Sequence, residues 1–582
     1  MTQQKKYKII DFIAMTVLMC YPLRKVNIGI DMMDAGYALG NYRFFDSLNE
    51  IWKLATYLAN VTGMLLSHLP YGDTWLGMNV YTALLIGVIA SGSYYVLTKY
   101  FKNKLLLFMG ELAALSLCWA PSVVLYHYMG YFAMTVATLL LYYALTKKKN
   151  ACYIIAGVVL GSAVFVRMPN ITYMAMIIPV WFYGWLQKEK FTYIVGQTFR
   201  CIVGYLIGIF VPLTIIIIKY GVAAYPNMIF SLFGMTETAT DYKPISMVYA
   251  MFEDYIQYSV WLILFVMYLI FGLLFFNIAK GKLEGFKKVL YIIGMLILLR
   301  LCYGRGMFGV DYTSYFSMYK WVTVYLLIVI ALCVFLLLSH KVMAENKLWA
   351  LFLLIIIFIT PLGSNNGLYP LMNNLFVVAP VSVCLIWDVL KELEQKCVFV
   401  KSTFVWRSMG IFILLCTFVQ SFLFGVCFVF HDALNKGEQY VQVEIPSASS
   451  AIGMRTTADK KEKLEALGRY LTKNQLTEKK VLLYGEIPAI AYLFDMEPAV
   501  YTTWADLESN SIERLEADLD SITQEYPVVI VTEDIGKQLE AAKTEKLQEP
   551  KLTIISEFLK KGSYVCMYAE KGYCVYSVRE NK

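Results

Sequence analysis

The 582-residue sequence is 59% hydrophobic and 16% charged, with a formal net charge of +8 at pH 7. Soluble domains carry about 25% charged residues, so the composition excludes a soluble globular protein and indicates an integral membrane protein. The basic residues stand in short loops between apolar segments, a pattern that follows from membrane topology and indicates no nucleic-acid partner. The 12 Cys and four His residues form no CxxC motif and no zinc-spaced cluster.

Thirteen apolar segments are predicted to cross the membrane, since a crossing helix needs about 20 mostly apolar residues. They are residues 9–26, 76–97, 104–124, 128–146, 151–167, 170–187, 199–218, 258–279, 287–303, 318–339, 347–361, 375–391 and 408–430. The fold class is therefore a polytopic α-helical membrane protein. No small-residue cleavage site follows the first segment, which is interpreted as an uncleaved helix.

The basic loops predict the orientation of the chain. With the N-terminus in the cytoplasm, nearly every alternate loop that falls inside is basic, for example residues 99–104, 147–149 and 188–190. This matches the positive-inside rule. An odd number of helices then places the chain from about residue 432 onward outside.

Two regions follow from this topology. Residues 1–430 are predicted to form the transmembrane domain, and residues 27–75 its first external loop. Apolar residues within 42–69 recur at helical spacing among polar ones, which suits helices that lie in the membrane interface. Residues 431–582 are predicted to form a small extracytoplasmic α/β domain.

Helix and strand patterns alternate in this C-terminal region. Residues 459–470 have an amphipathic helical pattern, and 481–484 and 528–531 are short apolar runs typical of buried strands. Residues 563–568 and 573–578 are predicted to form a hairpin. Cys566 and Cys574 flank its turn and could form a disulfide or remain free thiols.

Directly after the first apolar segment come two carboxylates, Asp31 and Asp34. On a helical turn, side chains three residues apart point to one side. A carboxylate within hydrogen-bond reach of a hydroxyl can act as its general base. The alternative is a helix N-cap or an ion pair with a nearby basic residue. Tyr37 and Tyr42 lie in the same stretch and are candidates for contact with a sugar.

Arginines near the outer face violate the charge bias and are therefore informative. Arg167 ends a predicted crossing helix there, and Arg300 and Arg305 lie at another outer end. Arginine binds phosphate oxygens bidentately, whereas the alternative role is contact with lipid headgroups. His127, in a tight outer turn, is a candidate for a donor phosphate or sugar contact, or else a solvated interfacial histidine.

Asn365 and Asn366 lie in a further external loop, residues 361–367. Their side-chain amides match the hydrogen-bonding needs of sugar hydroxyls, and we include them as candidate sugar ligands. The same composition is typical of an ordinary turn, which is the favoured interpretation.

Together these motifs resemble the GT-C superfamily of polytopic glycosyltransferases, notably bacterial relatives of protein O-mannosyltransferases and the lipid A aminoarabinose transferase. The resemblance rests on the acidic motif after helix one, on the glycine-rich helix 156–169 that leads to Arg167, and on the C-terminal strand 480–485 followed by Pro488. The chain has Arg-Met-Pro where relatives often have Arg-Pro. It also has Asp-x-x-Asp in place of an adjacent Asp-Glu, so the choice between Asp31 and Asp34 stays open, with Asp31 nearer to helix one.

The resemblance implies a polyprenyl-phosphate-linked sugar donor that enters from the outer leaflet of a bacterial plasma membrane. The acceptor would be an envelope polymer, a glycolipid or a protein. In an inverting displacement, Asp31 or Asp34 would deprotonate the acceptor, while Arg167 and Arg305 stabilise the leaving phosphate. The arginines could suffice without a cofactor, and the metal dependence of some relatives leaves a divalent metal open.

Two other classes of protein are alternatives to a glycosyltransferase. A transporter or flippase of lipid-linked glycans would also be polytopic, but it predicts more mid-helix charges than the sequence contains, Glu111 being the clearest. A non-catalytic scaffold predicts that Asp31→Asn and Asp34→Asn leave the pathway intact.

Overall fold

The computed structural model describes residues 3–119, 122–238, 244–278, 283–396, 403–445, 449–523, 525–542 and 547–578. The described part is mostly helical up to residue 427, and the strands of the structure lie after it. The N-terminal helices are α1 Gln3–Cys20, α2 Asp34–Arg43, α3 Glu50–Leu54, α4 Tyr57–Ser67, α5 Trp75–Leu97, α6 Lys104–Leu117, α7 Leu125–Lys147, α8 Asn150–Val166, α9 Ile178–Leu186 and α10 Phe191–Tyr220. They are followed by α11 Ala224–Thr238, α12 Pro244–Asn277, α13 Glu284–Gly304, α14 Phe316–Leu338, α15 Ala344–Ile359, α16 Tyr369–Met372, α17 Val378–Lys396 and α18 Thr403–Cys427.

Six helices among the described residues are long and apolar enough to cross a membrane: α5, α7, α10, α12, α14 and α18. They indicate a multi-pass membrane protein. Each of the thirteen predicted segments contains a helix, but segment 170–187 begins as the 3₁₀ helix Met168–Ile177 and becomes α9, only nine residues long. Helix α6 has 14 residues and α15 has 16, fewer than a crossing usually needs. Thirteen crossings therefore stay a prediction.

Helices α8 and α10 pack closely through glycines. A Cβ built on Gly157 would lie 2.2 Å from the Cys201 carbonyl oxygen, and one on Gly161 would lie 2.1 Å from that of Tyr205. Small residues at this spacing let membrane helices approach closely. Any larger residue at these positions would force the two backbones apart. Helix α8 ends at Val166, and Arg167 follows it in an extended conformation.

The segment between α2 and α5 contains only short helices. Helices α3 and α4, with five and 11 residues, fill the region 42–69 where interfacial helices are predicted. Neither is long enough to cross a bilayer. They pack against the rest of the described chain through buried residues such as Trp52 and Tyr57.

The C-terminal part contains a four-stranded mixed sheet. Its strands are β3 Val481–Tyr484, β4 Val528–Thr532, β5 Tyr564–Glu570 and β6 Tyr573–Val578, after a separate pair formed by β1 Val441–Gln442 and β2 Arg455–Thr456. The order is β3-β4-β6-β5, with β3 and β4 parallel and the others antiparallel. Its helices are α19 Ala458–Lys473, α20 Ala489–Leu493, α21 Ile512–Asp520, α22 Glu533–Ala541 and α23 Pro550–Lys561.

The predicted strands, the amphipathic helix and the hairpin are confirmed, since they correspond to β3, β4, α19 and the β5–β6 pair. Strands β3 and β4 are apolar and buried up to Thr532 at the end of β4, because each face of the sheet packs into a hydrophobic core. Cys566 and Cys574 are both free thiols, so of the two alternatives the disulfide is not formed.

Candidate active site

The acidic loop between α1 and α2 is held in place by the C-terminal part of the chain. The backbone N–H of Arg455 donates to the Asn27 carbonyl at 2.8 Å, and the N–H of Gly29 donates to the Arg455 carbonyl at 2.8 Å. The loop thereby adds to β2 in a parallel bridge. Gly29 has φ +94°, a conformation that favours glycine. The loop that carries the two carboxylates is therefore fixed by residues more than 400 positions away.

Asp31 is a buried carboxylate, 3% exposed, and both of its oxygens accept hydrogen bonds from the protein. Its Oδ1 accepts from the backbone N–H of Met33 at 3.0 Å, and its Oδ2 from that of Ala35 at 2.7 Å. These are N–H groups at the start of α2, which have no partner within the helix. Asp31 thus has the helix-capping role that the sequence left as its alternative interpretation.

His431 is the third group that contacts the Asp31 carboxylate. Its Nδ1 lies 2.9 Å from Asp31 Oδ1, and its ring stacks on Phe430 at 4.1 Å between centroids. Burial alone would lower its pKa, but the hydrogen bond to Asp31 and the charges of Asp31 and Asp34 outweigh burial and raise the pKa above its ordinary value. The raised pKa shifts the ring toward the imidazolium form, in which Nδ1–H donates to Asp31.

Sequence reasoning missed His431. The residue has φ +49°, a conformation uncommon for a residue with a side chain, and it lies four residues after the end of α18 at Cys427. The available signal was its position as the first histidine after the last predicted crossing helix, on the same predicted face as the acidic loop.

Asp34 differs from Asp31 in being unengaged. It lies in the first turn of α2, where the helix dipole favours a negative charge. No hydrogen-bond partner for its carboxylate occurs among the described residues. Burial, followed by the charge of Asp31, raises the pKa of Asp34 to about 6, while His431 opposes the rise and Glu486 adds to it. A carboxyl group with this pKa is ionised and basic near neutral pH, as a general base must be.

Lys460 on α19 ties together the two segments that carry Asp31 and His431. Its Nζ donates to the Ile30 carbonyl at 2.7 Å and to the His431 carbonyl at 3.1 Å, and it forms an ion pair with Asp432 Oδ1 at 2.9 Å. Asp432 is itself buried and accepts at Oδ2 from the backbone N–H of Ile30 and from Thr456. This cluster, Lys460–Asp432–Thr456, is called the clamp below.

A small cavity opens beside Asp34. It is lined by Asp34, Trp119, Ser122, Val124, His127, Tyr128, Tyr131, Asn373 and Phe430, and its volume is about 20 Å³, enough for one water-sized group. Three lining residues present buried polar atoms without a partner in the structure: Trp119 Nε1, Tyr131 Oη and Asn373 Oδ1. Buried polar groups are nearly always hydrogen-bonded. Their convergence beside an unengaged carboxylate indicates a site for a polar ligand.

Arg167 lies near this cavity. Its Nη2 donates to the Gly363 carbonyl at 2.8 Å, and its guanidinium lies 5.8 Å from the ring centroid of Tyr126. Its charge acts on His127 and Tyr131, which line the cavity. Among the described residues, a backbone carbonyl accepts from one of the five N–H groups of this guanidinium.

The remaining predicted site residues lie elsewhere. Arg300 and Arg305 are exposed at the end of α13, and no contact among the described residues joins either of them to Asp34. Asn365 and Asn366 lie in the loop that accepts the Arg167 hydrogen bond at Gly363, and neither lines the cavity. Bonds within this loop, such as Asn366 N–H to Ser364 Oγ at 3.2 Å, are those of a turn.

The two tyrosines of α2 pack against protein. The hydroxyl of Tyr42 donates to the Val123 carbonyl at 2.9 Å and accepts from the Leu125 N–H at 3.1 Å. Tyr37 lies edge-on to Trp504 at 5.7 Å between centroids. Tyr42 therefore positions the segment that begins α7, and neither tyrosine lines the cavity.

Asp31, Asp34 and His431 could together hold a metal ion, since one ligand atom of each lies within 4.8 Å of the others. Two carboxylates and an imidazole suit a divalent cation. A metal needs neutral histidine, so binding would require His431 to lose the proton that it shares with Asp31. The residues fit a divalent ion on that condition.

Comparisons with known proteins find similar solved structures, of which two are described. One is ArnT from Cupriavidus metallidurans bound to undecaprenyl phosphate, at 11% identity and a TM-score of 0.42 over 100% of this chain and 99% of that chain. The other is the Archaeoglobus fulgidus oligosaccharyltransferase in complex with zinc and sulfate, at 11% identity and a TM-score of 0.43 over 98% of this chain and 73% of that chain. No family model and no curated protein sequence matches. The residues of the site itself therefore carry the functional inference.

Proposed function

We propose that this protein is a membrane glycosyltransferase that moves a sugar from a polyprenyl-phosphate-linked donor to a hydroxyl of an extracytoplasmic acceptor. The observation that carries the proposal is the unengaged Asp34 carboxylate in a cavity with three unpaired buried polar groups. The class of donor follows from the GT-C resemblance of the sequence. The six long apolar helices agree with a lipid-linked substrate.

Asp34 is the proposed base, rather than Asp31. Asp31 has both oxygens occupied by the N–H groups of α2 and by His431, so accepting a proton would break those hydrogen bonds. Asp34 makes no such bonds among the described residues and lines the cavity. The pKa of Asp34, about 6, allows it to accept the proton of an attacking hydroxyl near neutral pH.

In this proposal His431 acts on Asp34 through its charge, and Asp31 holds Asp34 in position. The charge of His431 opposes the repulsion from Asp31 and lowers the pKa of Asp34, which favours its ionised form. Asp31 holds the start of α2 and so the position of Asp34. In this assignment neither residue touches the reacting atoms.

Arg167 is the proposed contact for the donor phosphate. As the sugar leaves, the bridging oxygen gains negative charge, which a guanidinium can stabilise by bidentate hydrogen bonds. His127, which lines the cavity, is placed between Arg167 and Asp34 in this proposal. Inversion at the anomeric carbon, by a single displacement, is part of the same proposal.

The cavity admits a small group and not a whole sugar ring. We therefore expect the acceptor hydroxyl or one substituent of the sugar to enter it, with Asn373 Oδ1 accepting from a hydroxyl and Trp119 or Tyr131 donating to an oxygen. Binding of the rest of the substrate requires neighbouring side chains to move.

A divalent ion held by Asp31, Asp34 and His431 is an alternative form of the site. Such an ion would supply positive charge beside the departing phosphate. The alternative predicts that Mn²⁺ binds the purified protein with a detectable affinity that His431→Gln abolishes, and that chelation removes activity. Activity undiminished by chelation, without Mn²⁺ binding, would support the imidazolium form.

The test is turnover of purified protein in detergent with a panel of polyprenyl-phosphate sugars and candidate acceptors. We expect release of polyprenyl phosphate, and a loss of about 10²–10⁴-fold in Asp34→Asn, the range of a general base. Asp73→Asn, an exposed carboxylate of the same loop region, is the control and should retain full activity.

Three outcomes would contradict the assignment. Full turnover in Asp34→Asn would exclude it as the base, and loss of turnover confined to Asp31→Asn would restore Asp31 in its place. Movement of an intact donor across a bilayer without release of polyprenyl phosphate would favour a flippase.

A further inference from the structure

A second cavity lies at the end of the bundle opposite the acidic site. It is lined by Leu145, Thr146, Lys148, Tyr153, Val180, Tyr183, Gly184, Gln187, Glu189, Tyr193, Ile194 and Gln197, with a volume of about 210 Å³. Helix α7 begins beside the Asp34 cavity and ends here, and at 1.5 Å per residue its length separates the two by about 30 Å. The second cavity therefore has no part in the proposed transfer.

One buried polar atom of this cavity, Gln197 Oε1, has no partner among the described residues. Gln197 is 2% exposed, and its Nε2 donates to Asn150 Oδ1 at 3.2 Å, whereas its Oε1 has no partner in the structure. A buried carbonyl oxygen left unpaired costs free energy. A ligand that offers a hydroxyl or amine proton would satisfy it.

The mouth of the cavity is basic. The two loops that border it carry five lysines, at 147–149, 188 and 190, against a single acidic residue, Glu189. Glu189 is already paired with Lys148 at 2.7 Å, and the other four lysines are exposed. The surroundings thus favour a ligand that combines negative charge with a proton donor.

Two of these lysines adopt a backbone conformation that lysine rarely takes. Lys148, the residue that caps the C-terminus of α7, has φ +53°, and Lys188, after α9, has φ +54°. Glycine is the usual residue in that position because it avoids the clash of a Cβ. Lysine here adds charge at the cost of some backbone strain.

Aromatic side chains place the cavity at the depth of lipid headgroups. Trp181, Trp185 and Phe191 project from α9 and the start of α10, with Trp185 75% exposed. Tryptophan is enriched where membrane meets water. A basic pocket between helices at this depth is a typical site for an anionic headgroup.

We propose that this cavity binds the headgroup of an anionic phospholipid that carries free hydroxyls, such as a glycerol ester of phosphate. The phosphate contacts the lysine-rich loops, and a headgroup hydroxyl donates to Gln197 Oε1. By the predicted topology the lipid belongs to the cytoplasmic leaflet, the leaflet opposite the acidic site.

Lipid retention by the full chain tests the proposal. The protein is reconstituted in nanodiscs of phosphatidylcholine with equal small fractions of phosphatidylglycerol and phosphatidylmethanol, which have the same charge but differ in headgroup hydroxyls. Bound lipids are then identified by native mass spectrometry. We expect phosphatidylglycerol to be retained over both other lipids.

Variants separate the two parts of the recognition. Lys148→Gln should lower retention of both anionic lipids about fivefold, the share of one lysine in attraction to an anionic headgroup. Gln197→Leu should remove only the preference for phosphatidylglycerol over phosphatidylmethanol. Lys288→Gln, a lysine on α13 that does not line the cavity, is the control and should leave retention unchanged.

Clear results would overturn the proposal. Equal retention of all three lipids by the wild type would exclude a headgroup site, and an equal loss in Lys288→Gln would reduce the effect to overall surface charge. Saturable binding of free sn-glycerol 3-phosphate, with no preference among the lipids, would assign the cavity to a soluble phosphate ester. Failure of the Asp34 experiments would leave these outcomes unaffected.

Discussion

His431 Nδ1 lies 2.9 Å from Asp31 Oδ1, although 400 residues separate the two in the sequence. The contact joins the loop after the first helix to a residue that follows α18, and it sets the electrostatics around Asp34. Several measurable properties depend on this relationship and on the clamp beside it. In the following, activity means release of polyprenyl phosphate from the lipid-linked sugar panel.

The pH dependence of the wild-type enzyme should report Asp34. Because the pKa of Asp34 is raised to about 6, the base is protonated and inactive below that pH. We expect kcat/KM to fall about tenfold per pH unit below pH 6 and to level off above it. A profile that stays flat down to pH 4.5 would show that no group of this pKa acts as the base.

Replacing His431 by glutamine should move that acidic limb to higher pH. Glutamine keeps a hydrogen-bond donor for Asp31 but removes the positive charge that lowers the pKa of Asp34. The pKa of Asp34 then rises, so a higher pH is needed to ionise it. His68→Gln, an exposed histidine, is the control. An unchanged profile in His431→Gln would mean that the imidazolium does not act on the base.

Lys460→Met should reduce both stability and kcat. Removing Lys460 leaves the buried Asp432 carboxylate without its ion pair, and breaking a buried pair costs about 3–5 kcal/mol. The segments that carry Asp31 and His431 also lose their common anchor. Thermal unfolding and steady-state kinetics in detergent measure the two effects.

The comparison variants for the clamp are Lys461→Met and the double variant Lys460→Met with Asp432→Asn. Among the described residues Lys461 pairs with Glu465, at 3.7 Å and one helical turn away, and the loss of such an i,i+4 pair should be nearly neutral. The double variant no longer buries a charge and should recover stability but not kcat. Recovery of both would show that the clamp acts through stability alone.

Gly36→Ala should displace α2 and with it Asp34. A Cβ at Gly36 would lie 2.4 Å from Ala489 Cβ and 2.6 Å from the Ala489 backbone nitrogen, so α2 and α20 must separate. We expect a loss of about 1–3 kcal/mol in stability from overpacking and lower kcat. Gly92→Ala on α5 has no atom within 4 Å of the new Cβ and should be tolerated. Full activity in Gly36→Ala would show that the α2–α20 contact does not position the base.

Tyr131→Phe should raise the stability of the protein and lower its activity. The Tyr131 hydroxyl is buried without a partner, so its removal should raise stability by about 1 kcal/mol. If the hydroxyl contacts substrate, KM or kcat worsens at the same time. Tyr291→Phe removes another unpartnered hydroxyl that does not line the cavity and should change stability only. Unchanged kinetics in Tyr131→Phe would argue against a ligand role for this hydroxyl.

Local patterns in the sequence determined most of the secondary structure. The apolar segments contain helices, and strands β3, β4 and the β5–β6 hairpin occur where apolar runs and turn residues predict them, because hydrophobic periodicity and turn chemistry act over a few residues. The pairing of Asp31 with Asp34 and the emergence of Arg167 on one face also followed from spacing and topology. What spacing left open was which carboxylate is unengaged.

Only the tertiary structure decided the composition of the site. His431, Lys460 and Asn373 lie hundreds of residues from Asp34 and resemble ordinary polar residues in the sequence, so no local signal assigns them to it. Hydrogen bonds from the start of α2 and from His431 occupy Asp31 and leave Asp34 unengaged. Burial beside a second carboxylate then raises the pKa of Asp34. Burial and partner geometry depend on which distant segments meet in the folded chain, and this is why the sequence named two acids and the fold distinguished between them.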